Sequence, residues 1–126
     1  MRSFIAAFAL LIAAVALAYA AAPRALLIYK IDRVSVSIEG RKMIVQASGA
    51  VKSGGWENPR LRIKAGHVAE SDTLVIEFLA TPPAKDAAVI QALLPVSAML
   101  TAPLAPYGTT QVEVVGETNS VTVPYK

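Results

Sequence analysis

RVSVSIEGRKMIVQASGA, residues 33–50, is the stretch on which the fold turns. Val34, Val36 and Ile38 alternate with Arg33, Ser35 and Ser37, the period-two pattern of a strand with one buried face. After a turn at Glu39-Gly40-Arg41-Lys42 the alternation resumes, with Met43, Val45 and Ala47 on one face. Two such runs around a short glycine-containing turn predict a β-hairpin over 33–50.

The same grammar continues on both sides. Downstream, Leu61, Ile63 and Ala65 alternate with Arg60, Arg62 and Lys64, which predicts a strand with an outer basic face. Residues 73–80 (TLVIEFLA) are rich in β-branched and large apolar side chains, with Leu74, Ile76 and Phe78 turned inward. The tandem Pro82-Pro83 breaks the chain, because proline supplies no ladder donor. Residues 87–102 (AAVIQALLPVSAMLTA) have a helical composition up to Pro95, yet Pro95 would stop a helix after two turns, and Val89, Ile90 and Val96 prefer extended backbone. Strand is the reading adopted there. Residues 110–123 predict a second hairpin, in which Val112 and Val114 face Val121 and Val123 across a turn at Gly116-Glu117-Thr118-Asn119.

Upstream, Ala25 to Ile31 is apolar and fits a first edge strand or a tether packed on the domain. Before it, Arg2, an uncharged apolar run from Phe4 to Leu17, and the small residues Ala18 and Ala20 flanking Tyr19 have the layout of a secretory signal with an A-x-A site. Cleavage is expected after Ala20 or after Ala22. The alternative is a retained anchor, because Phe4 to Ala22 is uncharged throughout and close to the ~20 residues that span a bilayer. The expected organisation is therefore a signal helix at 1–20, a tether or edge strand at 21–32, and a domain at 33–126. About six or seven short strands separated by turns predict an all-β fold, a small antiparallel β-sandwich that is immunoglobulin-like.

Composition narrows the chemistry. The chain has no cysteine, which excludes disulfides, thiolate metal sites, thiol nucleophiles and lipid attachment through a lipobox. A domain of about 105 residues can nevertheless bury a sufficient core without such staples. Twelve Lys and Arg stand against nine Asp and Glu, and only Arg2 would leave with the signal. That mild positive charge is not the concentrated basic face of a nucleic-acid binder, and no nucleic-acid partner is expected. Membrane contact is expected only through the signal segment, if it is retained.

His67 is the only histidine and sits in a polar stretch with Glu70, Ser71 and Asp72; local clustering of this kind does not make a triad, and a solvated turn is the economical reading. The carboxylates show no metal-ligand spacing, so neither metal nor cofactor is expected. Gly54-Gly55 lacks the G-K-[ST] ending of a phosphate loop. It precedes the only tryptophan, Trp56, which with Asn58, Arg60 and the loop aromatic Tyr107 forms a candidate ligand-binding set. In the competing reading Trp56 closes one end of the core. Arg60, Arg62 and Lys64 form a candidate basic stripe for an anionic partner, or a solvated face that guards a sheet edge.

The segment Ser53 to Leu61, together with Ile90-Gln91-Ala92 and Pro95-Val96, resembles short secreted bacterial proteins of unknown function that share a G-G-W-x-N-P-x-L element. The resemblance implies export and a small β fold, and it supplies no activity. The expected function is that of a non-catalytic exported module, periplasmic or secreted, which contacts a protein or envelope component. Carbohydrate or small-ligand binding at the Trp56 loop is one alternative, and inhibition of an exported enzyme through the proline-rich loops is another.

Overall fold

The computed structural model describes residues 24–64, 72–104 and 109–125. The expected signal helix, His67 and Tyr107 lie outside them. Eight strands form: β1 (Leu26–Leu27), β2 (Lys30–Glu39), β3 (Lys42–Val51), β4 (Glu57–Ile63), β5 (Thr73–Thr81), β6 (Leu94–Pro103), β7 (Gln111–Val115) and β8 (Ser120–Pro124). They build two packed sheets, a small β-sandwich, and no helix occurs among the described residues. No described helix is long and apolar enough to cross a membrane.

One sheet runs β2-β3-β6 and is antiparallel throughout. The hairpin expected over 33–50 is its centre: Glu39 pairs with Lys42 across Gly40-Arg41, and Gly40 takes a positive φ of 62°. A two-residue loop with glycine at its first central position fits a type II′ turn, whose twist matches that of the strands it joins. Val34, Met43, Val45 and Ala47 are buried, as the alternation requires. The inward face fades toward the hairpin tip, where Ile38 is exposed.

The other sheet is organised around β5. Strand β4 lies along one edge of β5. The opposite edge is shared, since β7 pairs with Thr73–Glu77 and β1 with Leu79 and Ala80. Strand β8 completes the sheet as the expected hairpin with β7, and Val112 faces Val123 while Val114 faces Val121. The segment around 25–31 thus pairs as an edge strand and then crosses to the other sheet as β2, with Ile28 fully buried at the crossing.

Among the described residues every ladder is antiparallel but one, because β5 and β7 run parallel. Topology forces this. After β5 the chain passes to β6 in the second sheet, reverses, and returns beside β5 in its original direction, so β6 is the crossover that parallel neighbours need. Residues 87–102 contain no helix; the extended backbone of β6 begins at Leu94, and 82–93 is irregular. The core fills the gap between the sheets with Phe78, Leu74, Ile76, Val112 and Val114 from one and Met43 and Val45 from the other. At the two sides of the sandwich β2 lies over β8 and β4 over β6.

Candidate functional site

The residues singled out in the Gly-Gly-Trp loop are placed by the turn that joins β3 to β4. Gly54 donates its N–H to the Ile90 carbonyl at 2.9 Å, and Gly55 lies against Pro83 and Val89, so the irregular segment 82–93 is laid over this turn. Trp56 is half-buried and packs against the core. Asn58 is exposed with a φ of 53°, a left-handed geometry that asparagine tolerates. The ladder slips between Glu57 and Arg60 at this point, which accommodates Pro59 on an edge strand. The slip also brings Asn58 and Arg60 together, and the Arg60 guanidinium donates to the Asn58 carbonyl at 3.1 Å.

The basic stripe lies on the outer face of β4 with its charges already engaged in part. Arg62 sits opposite Glu77 in the β4–β5 ladder and pairs with it at 3.0 Å. With Arg60 turned to a backbone carbonyl, Lys64 is the one of the three whose side chain makes no hydrogen bond or ion pair among the described residues. The field of this strand is accordingly weaker than its sequence suggests, because the Glu77 carboxylate offsets the charge of Arg62.

A different surface offers free polar groups. The outer face of the β2-β3-β6 sheet carries a shallow, open depression of about 450 Å³ lined by Arg33, Ser35, Gln46, Ser48, Ser97 and Met99. Strand register builds it in two rows, Arg33 opposite Ser48 opposite Ser97, then Ser35 opposite Gln46 opposite Met99. Met99 stands 61% exposed and accepts a weak hydrogen bond from the Gln46 amide at 3.5 Å. The Arg33 side chain has no ion pair or hydrogen bond among the described residues, and no carboxylate lines the depression. Asp32, next to Arg33 in sequence, is held by Lys30 at 3.2 Å.

This face escaped sequence reasoning as a site. The alternation did place Arg33 and Ser35 outward on β2. Ser97 and Met99, however, arrive from a strand some fifty residues later, whose pairing to β3 has no local signal. The donor set supplies one permanent cation, hydroxyls, an amide and an apolar thioether, and none of these is a nucleophile–base pair. Among the described residues no three His, Asp or Glu lie close enough to hold a metal ion. What such a face can do is recognise a surface by hydrogen bonds and a point charge. No protein-family model, curated protein or solved structure matches this chain.

Proposed function

We propose that this protein is an exported, non-catalytic binding module, acting in the periplasm or outside the cell, and that it contacts an envelope component through the outer face of the β2-β3-β6 sheet. The observation that carries the reading is the depression on that face, where a guanidinium and hydroxyls without side-chain partners, and an amide bonded only weakly to Met99, stand on rigid, ladder-bonded backbone. A fixed frame loses little conformational entropy on binding, which is how preorganised surfaces gain affinity. The signal-like N-terminus and the resemblance around Ser53 to Leu61 support export.

The test is site-specific photocrosslinking in the native host. A photoreactive residue is placed at Met99, in the depression, or at Thr122, an exposed position on the outer face of the other sheet. The proposal expects a discrete adduct from position 99, recovered in the envelope or periplasmic fraction, and none from position 122. It also expects the recovered protein to begin at Ala21 or Pro23. Adducts from 122 alone, or a purified protein that turns over a substrate in a manner abolished by one substitution, would overturn it.

A further inference from the structure

We infer that the depression on the β2-β3-β6 sheet binds a carboxylate-bearing glycan, with Arg33 reading the acid group and the neighbouring side chains reading the ring. This rests on the proposal that this face is the binding surface, and it names the chemistry of the ligand. The first support is charge. Arg33 presents a planar fork of donors that matches a carboxylate in bidentate geometry, and no side chain on the face competes for it. The nearby Asp32 is paired with Lys30, while Glu39 and Lys42 lie at the far end of the hairpin, opposite one another.

The second support is the distribution of neutral groups. Ser48 and Ser97 continue the row of Arg33, and Ser35, Gln46 and Met99 form the next. With strands about 5 Å apart and same-face residues about 7 Å apart, these two rows cover roughly 10 by 7 Å, the footprint of a short oligosaccharide lying flat. Hydroxyls donate and accept, the amide does both, and the thioether offers an apolar surface to the C–H face of a ring. A volume of about 450 Å³ falls within the range of small-molecule sites.

An extended peptide fits this face less well. Each row crosses the sheet at residues whose backbone belongs to the β2–β3 and β3–β6 ladders, so strand addition on the face is not open to a peptide. The depression also lacks the desolvated apolar pocket that anchors a peptide side chain, Met99 being the one large apolar group among its lining residues.

The test is an NMR titration of the purified protein with amide and Met-methyl detection, using trigalacturonate as the probe. Neutral galactotriose, tetraglutamate and acetate serve as comparison ligands. The inference expects saturable shifts confined to Arg33, Ser35, Gln46, Ser48, Ser97 and Met99. It expects Arg33→Gln to weaken binding by about tenfold or more, the loss of a charge-assisted pair, with the rest of the spectrum unchanged. Ser97→Val should weaken it less and leave the salt dependence intact. Galactotriose should bind at least about tenfold more weakly than trigalacturonate.

No shift on this face at millimolar trigalacturonate, or equal shifts with acetate, would overturn the inference. So would tighter binding of tetraglutamate, which would make the occupant an acidic peptide. The two readings fail separately. A silent titration with an adduct at position 99 removes the glycan and leaves the binding face, whereas adducts from position 122 alone remove both.

Discussion

Gly49 is where the fold tolerates least, and Gly49→Ala tests the reading of the β1–β2 crossing. The residue is buried on β3 opposite Ile31, at the point where the β2–β3 register shifts around Asp32. A Cβ added there would stand 2.1 Å from the Lys30 carbonyl oxygen and 2.7 Å from Cδ1 of Ile28, itself fully buried. The Ile28 methyl can rotate aside only into close-packed core. The Lys30 carbonyl is backbone and would have to move by about 1 Å, taking the bulge with it. Overpacking of this kind costs about 1–3 kcal/mol and sometimes more. The alanine recovers about 0.4–1 kcal/mol by restricting the unfolded chain. The expected net loss is about 2 kcal/mol, which for a domain of this size lowers Tm by roughly 10 °C.

The assay is urea denaturation followed by far-UV circular dichroism, with Gly54→Ala as the matched control. At Gly54 the nearest atoms to an added Cβ are Ile90 N at 3.7 Å and Leu94 Cδ1 at 3.8 Å, ordinary contacts, so that variant should stay within about 0.5 kcal/mol of the parent or gain slightly. If Gly49→Ala unfolds at the same urea concentration as Gly54→Ala, the close approach of β3 to the crossing segment is wrong.

Other outcomes follow from the same contacts. The Asn119 side chain spans the sheets, accepting from the Ile31 N–H at 2.7 Å and donating to the Ile31 carbonyl at 2.9 Å, so Asn119→Ala should cost about 1–3 kcal/mol in urea denaturation. Arg62→Ala removes an exposed ion pair to Glu77 and should change stability by less than about 1 kcal/mol, a loss that shrinks further in high salt. Phe78→Ala empties the centre of the core and should cost about 3–5 kcal/mol, read as a lowered Tm or as loss of soluble protein. Trp56, half-buried against the core, should emit between the limits of core and water and be quenched by acrylamide more slowly than free tryptophan; a fully red-shifted, freely quenched signal would contradict its packing there.

Local pattern determined much of this protein. Both hairpins were legible because their strands are adjacent in sequence and alternate strictly, so the faces of Val34, Met43 and Val45, and of Val112, Val114, Val121 and Val123, follow from period alone. Strand β5 and the outward Arg60, Arg62 and Lys64 were legible for the same reason. The residues 87–93 gave a mixed signal because a short apolar run suits helix and strand alike, and they form neither: an irregular path lays the Ile90 carbonyl on the Gly54 N–H and Val89 against Gly55.

Tertiary structure alone decided the rest. The parallel ladder between β5 and β7 depends on β6 joining the opposite sheet, a choice made by the whole core and by no single segment. The same choice decides which residues share the candidate site. Arg33 and Ser35 are outward by alternation, but Gln46 and Ser48 become their neighbours by hairpin register, and Ser97 and Met99 only when β6 docks on β3. The identity of a strand's face is a property of its own sequence. The identity of its neighbours is a property of the fold, since long-range pairing is selected by burial of the whole apolar set and leaves no mark at the residues it brings together.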